Sequence, residues 1–147
     1  MLAQLAFWLL AATDGHAKNF SIFHRVGGAF GMTPLYDVLS AWPVIGPGAD
    51  QLPKQDAKLA MAIRGKSRDY RLREIHPRHS HELALRIGLP GLWGRMRNLV
   101  ASADAHVAVV QARLPSGFPE RVIDTIAAGV KQQALAFIAT APPASTE

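Results

Sequence analysis

Thr13-Asp14-Gly15-His16-Ala17-Lys18-Asn19, followed eighteen residues after its Asn by Asp37 within Leu35-Tyr36-Asp37-Val38, is the stretch whose reading decides this chain. Thr13, Asp14 and Gly15 punctuate the end of an apolar run, as a helix terminus does. Residues 2–11 read as that helix, and its apolar character on every face predicts that it is covered on most sides. Phe20 to Phe23 and Ala29 to Met32 are short strand-like runs separated by Val26-Gly27-Gly28, whose glycines supply turn geometry. A hairpin there would carry Asn19 at its start and Asp37 just past its end. Two residues far apart in sequence could then face one point in space.

The spacing of these groups has a chemical meaning. An Asp followed five positions later by an Asn is the pattern of a protein-kinase catalytic loop, where the Asp accepts the substrate hydroxyl proton and the Asn holds a magnesium ion. Asp37 would supply the second metal carboxylate. Mg²⁺ prefers hard oxygen ligands, bridges the phosphate oxygens of ATP and neutralises charge as the γ-phosphoryl moves. Each residue also has a structural reading, with Asp14 as a turn carboxylate, Asn19 as a loop amide and Asp37 as a helix cap. Three such groups converging without a cation would repel or stay unpaired, which favours a phosphoryl-transfer site.

At these residues the chain resembles HipA, the serine/threonine kinase toxin of bacterial toxin–antitoxin pairs, in its C-terminal portion. The resembling blocks are Ala12 to Ser21 and Thr33 to Ala41, then Lys58-Leu59-Ala60-Met61, His76-Pro77-Arg78-His79, Leu114-Pro115 and Phe118-Pro119-Glu120. The resemblance implies the helical C-lobe of a HipA-like protein kinase fold, mainly α with small β-hairpins (α+β). It implies Asp14 as catalytic base, Asn19 and Asp37 as magnesium ligands, and His16, Ala17, Lys18 and Asn19 with Tyr36 and Asp37 as the nucleotide-contacting set. ATP and Mg²⁺ are the implied substrate and cofactor. The implied partners are a HipB-like helix-turn-helix antitoxin and a protein substrate, glutamyl-tRNA synthetase, with DNA met only through the antitoxin complex. A kinase also needs a phosphate-covering loop and a strand lysine, neither of which is read before Asp14. The expectation is therefore a catalytic lobe inactive without an N-lobe, which could be separately encoded. The rival is a truncated or split remnant that serves as a non-catalytic interaction module.

Composition sets the bounds. A chain of 147 residues with 49% apolar side chains can form one domain with its own core. The absence of cysteine excludes disulfides and thiolate metal sites and fits the cytoplasm. Sixteen Lys/Arg against eleven Asp/Glu give a net charge of +5, which favours polyanionic partners. The apolar opening has no Lys or Arg before it and is too short to span a bilayer, so it reads as a buried helix rather than a leader, and no membrane is expected.

Past the catalytic stretch, residues 40–53 are rich in Pro and Gly and read as an irregular loop in the position of a kinase activation segment. Leu59 to Ile63 carries no period and fits strand or helix, with Gly65-Lys66-Ser67 as a turn and Tyr70 to Leu72 as a return favouring strand. Helices are expected from Pro77 to Ile87, from 92 to 114 without a break, and after Pro119, the last with a buried stripe of Val122, Ile126, Val130 and Phe137. One lobe spans 1–141, and 142–147 reads as a disordered tail. Gly65-Lys66-Ser67 is no P-loop, because position 60 is Ala. His76, His79 and His81 fit no common zinc spacing. Arg64 to Arg78 is the densest basic run, read as a solvated face or as a docking surface for an acidic partner or nucleic acid.

Overall fold

The computed structural model describes residues 1–142. Helix α1 (Leu2–Leu9) is followed by a hairpin of β1 (Ile22–His24) and β2 (Phe30–Met32), then by a second hairpin of β3 (Lys58–Arg64) and β4 (Arg68–Arg71). Helices α2 (Pro77–Ile87), α3 (Leu92–Ala101), α4 (Ala103–Gln111) and α5 (Glu120–Thr140) complete the chain. Both hairpins are antiparallel and separate from each other, so the architecture is the mainly helical α+β arrangement expected. Of the expected tail, all but Pro142 lies outside the described residues.

The core is assembled around α1, which packs against α3, α5 and β3. Its lack of surface charge now has a cause, since Leu5, Phe7, Trp8 and Leu9 are all buried. Trp8 and Trp93 both lie against Phe137 of α5, with ring centroids 5.9 and 5.7 Å apart, near the favourable range for aromatic pairs. Polar handles fix the register: Trp8 Nε1–H donates to Leu72 O at 3.1 Å and Gln4 Nε2–H to Ala62 O at 3.1 Å. α5 has the length and composition of a spanning helix, yet Gly129, Val130, Ala134 and Phe137 face the core. Val122 and Ile126 of its expected stripe are only half-buried.

Three expectations change. The helix expected over 92–114 breaks at Ser102, whose Oγ–H donates to Asn98 O at 2.8 Å and lies 3.3 Å from Leu99 O. Back-bonding of this kind competes with the backbone ladder and bends helices. The expected end moves as well: α4 stops at Gln111, so Leu114 falls beyond it, and Val110 is half exposed. Residues 40–53 are less irregular than their composition implies, with a tight turn at Trp42–Val44 and a bridge between Ile45 and Leu52. Trp42 is buried against α5 because Gly129 has no side chain; an added Cβ would run into the indole ring.

The β3–β4 hairpin is pinned to α2 by an internal polar relay. His79 is buried, with Nδ1 3.3 Å from Asp69 Oδ2 and Nε2 3.2 Å from the Arg78 Nε–H donor. His79 Nδ1 also lies 3.3 Å from the His76 backbone N–H, so one ring nitrogen is shared between the start of α2 and the carboxylate on β4. Burial pushes the His79 pKa below its ordinary value, Arg78 and His76 add to this, and Asp69 opposes it.

Two outcomes follow. Gly129→Ala gains about 1 kcal/mol of helix propensity but overpacks Trp42, and the net result is a lower thermal midpoint by about 1–2 kcal/mol of stability, read by circular dichroism. For His79 the folded state binds the proton less well than the unfolded chain, so its stabilisation is complete above the unfolded value of about 6.5 and is lost as pH falls below it. The unfolding midpoint should drop between pH 7.5 and 5.5, and His79→Gln should flatten that dependence.

Candidate active site

Helix α1 ends in a way that aims the following loop. Ala11 takes a left-handed backbone at φ 49° while fully buried, which turns the chain sharply out of the helix. The last carbonyls of a helix lack intrahelical partners. Here three in succession are taken by one later segment: Trp42 Nε1–H donates to Leu9 O at 2.9 Å, Ser40 Oγ–H to Leu10 O at 2.7 Å, and Ala41 N–H to Ala11 O at 3.1 Å. Residues 40–42, just past Asp37, are thereby stapled to residues 9–11, just before Asp14.

The loop itself is held by packing and by its own amide. Gly15 sits over the buried Phe7 ring, where an added Cβ would approach Cδ2 to 2.5 Å. Phe7 also contacts Phe20 at 5.9 Å between ring centroids. Between them Ala17–Asn19 makes one tight turn, and Asn19 is 2% exposed. Its Oδ1 accepts the His16 N–H at 2.9 Å, and its Nδ2–H donates to Asp37 Oδ2 at 3.3 Å. Asp37 stands in the left-handed region at φ 55° and is exposed. The staple and the hairpin together bring these side chains into contact across eighteen residues.

The remaining expected residues line the same loop. Asp14 is solvent-facing, with 83% of its side chain exposed, and its Oδ1 lies 3.9 Å from His16 Nε2. That distance is beyond a hydrogen bond, and His16 Nδ1 is buried without a partner, so His16 does not orient the loop through its ring as a hydrogen-bonding anchor would. Its backbone does so instead. Ala17 and Lys18 are exposed. Tyr36 is 46% exposed, donates to Lys18 O at 2.8 Å and lies 2.8 Å from Ser21 Oγ. It ties the two ends of the hairpin together at the rim. Ser21, Ser40 and Phe7 were not singled out by the sequence pattern, because nothing in a lone Ser or Phe marks which distant carbonyl or glycine it will meet.

The donor set is chemically suited to a hard cation. Among the described residues no three His, Cys, Asp or Glu cluster as a dedicated metal cage. Mg²⁺ does not need one, since it is commonly held by one or two protein oxygens together with substrate phosphates and water. The exposed Asp37 carboxylate has spare lone pairs beside the amide, and Asn19 Oδ1 retains one beyond its bond to His16.

An α+β lobe whose N-terminal helix delivers a D-x-x-x-x-N loop against a carboxylate returned by a hairpin defines a C-terminal lobe of the HipA kind. The description "HipA-like C-terminal domain" matches residues 1–133, and the chain belongs to that family. Its fold is similar to a chain of the Shewanella oneidensis MR-1 toxin–antitoxin complex of HipA, HipB and operator DNA, with a TM-score of 0.72 at 20% identity. The alignment covers 94% of this chain but 30% of that one, so the chain spans under a third of the length of the protein it matches.

The staple makes a test available. Ser40→Ala leaves the Leu10 carbonyl short of a donor and should cost about 1 kcal/mol. Hydrogen exchange at Tyr36 to Val38 should quicken with it, and unchanged protection there would show that Ser40 does not hold Asp37 in place.

Proposed function

We propose that this chain is the catalytic C-terminal lobe of a HipA-like serine/threonine protein kinase, the toxin of a type II toxin–antitoxin pair. The observation that carries this reading is the contact between Asn19 and Asp37, made by the loop that also carries the exposed Asp14. In this reading Asp14 accepts the proton of a protein Ser or Thr hydroxyl as it attacks the γ-phosphorus of ATP, the arrangement of a kinase catalytic loop. Asn19 and Asp37 would hold Mg²⁺, which when bound supplies charge neutralisation at the phosphates. Lys18 can set its flexible ammonium against phosphate oxygens, and His16, Ala17 and Tyr36 form the nucleotide-facing rim. Use of ATP puts the reaction in the cytoplasm.

The partners of this reading come from the family. The solved HipA is found with HipB and operator DNA, which supports a HipB-like antitoxin here, with operator DNA reached through that complex. Glutamyl-tRNA synthetase is the proposed substrate by resemblance. A further lobe, in the same chain or separately encoded, would supply the phosphate-covering loop and strand lysine, and turnover is expected only with it. Uncovered apolar side chains around the site support such a lobe. Ile22, Phe23, Phe30, Met32 and Leu39 are each at least half exposed on or next to the β1–β2 hairpin, and a two-stranded ribbon is marginal alone. The same exposed face also favours the second reading, a non-catalytic module that binds an antitoxin or an N-lobe.

Activity distinguishes the two. With an N-lobe supplied, Asp14→Asn should reduce phosphoryl transfer by about 10²–10⁴-fold while leaving the circular dichroism spectrum unchanged. Asp37→Ala should weaken Mg²⁺-dependent nucleotide binding by calorimetry. Transfer that survives Asp14→Asn would remove it as the base, and absence of transfer in the unmutated pair would favour the binding module.

A further inference from the structure

The charge of this chain is concentrated in one place. Residues 58–78, which comprise β3, β4 and the approach to α2, hold seven Lys/Arg against two acids, whereas the rest of the chain holds nine of each. The entire net charge of +5 therefore belongs to this segment. Both acids there are already engaged. Asp69 accepts from Ser67 Oγ–H at 2.6 Å and faces His79, while Glu74 lies 3.3 Å from Arg71 and 3.8 Å from Arg73. Among the described residues, Lys58, Arg64, Lys66 and Arg68 have no carboxylate within ion-pair distance.

The strand register sharpens the point. Lys58 stands opposite Arg71, and Arg64 opposite Arg68. Like charges directly across a ladder destabilise a hairpin. All four side chains are exposed, so core packing does not impose them. A bound anion lying between such pairs turns the repulsion into attraction.

The same face has shape and an aromatic. A cleft of about 430 Å³ is lined by Lys58, Ala60, Arg68, Tyr70, Arg71 and Glu74. Tyr70 is 43% exposed and stands between Arg68 and Arg71 on β4. An acidic peptide would satisfy the cations but leave the ring unused, and a duplex keeps its bases stacked away from it. Unpaired bases stack on such a ring while neighbouring cations follow the phosphates. We infer that the β3–β4 face binds single-stranded nucleic acid, with Tyr70 as stacking platform and Lys58, Arg68 and Arg71 as phosphate contacts. None of these residues belongs to the Asp14–Asn19–Asp37 site, and the inference does not rest on kinase activity.

Fluorescence anisotropy of the full chain with a labelled single-stranded oligonucleotide of mixed sequence, and with the same sequence as a duplex, tests this. For about three phosphate contacts, affinity for the single strand should fall about twentyfold as salt rises fourfold. Tyr70→Ala should weaken binding about tenfold or more, and Tyr70→Phe should restore it. Lys58→Gln with Arg68→Gln should weaken binding and reduce its salt dependence, whereas Arg113→Gln with Arg121→Gln, the same charge change elsewhere, should not. Duplex binding equal to or tighter than single-strand binding, or indifference to Tyr70→Ala, would overturn the assignment. Binding of an acidic polypeptide such as poly-glutamate with equal affinity would overturn it in favour of a protein partner.

Discussion

Everything at the active face depends on how the open end of α1 is closed. Three consecutive carbonyls, those of Leu9, Leu10 and Ala11, receive donors from Trp42, Ser40 and Ala41. A buried helix end without partners would be costly, so this capping is an energetic requirement as well as a geometric one. Its consequence is positional. The segment leaving Asp37 and the segment entering Asp14 are the two sides of one hydrogen-bonded staple, and the hairpin between them is a loop closed at its base. The buried Trp42 extends the staple into the core by lying over Gly129 of α5.

The two hairpins use the same local physics to different ends. The glycines of β1–β2 adopt positive φ at 27 and 28, turn the chain, and let β2 return toward the loop that holds Asn19. Its side chains face outward and apolar, a surface suited to another protein element. The β3–β4 hairpin is fastened to the core through Leu59, Ile63 and the His79–Asp69 contact, and it turns its charged residues outward. One ribbon is an unfinished interface and the other a charged one.

Much of this was legible in the residues. The turn at Val26-Gly27-Gly28, the N-terminal proline of α2 and the D-x-x-x-x-N spacing each act through local geometry, so local text was enough to place them. The break at Ser102 was not legible, since a helical stripe of apolar residues continues through it and a single Ser inside a helix is ordinary. The order within residues 40–53 was hidden by their Pro and Gly content, which reports turns but not that the turns pack on a helix. The partners of Tyr36, Lys18 O and Ser21 Oγ, were hidden for the same reason, since they are fixed by the hairpin's closure rather than by its neighbours in sequence.

The sequence by itself determined the chemical inventory of the site, the family to which the chain belongs, and the order of helices and hairpins apart from the division of α3 from α4, because these follow from residue type, spacing and period. It also placed all of the net charge in one segment. Only the tertiary structure decided that Asn19 and Asp37 touch, that like charges face each other across β3 and β4, and that the end of α1 is capped by the residues after Asp37. Those facts join residues up to 33 positions apart, and contacts of that range are set by how the elements pack, which no local pattern encodes.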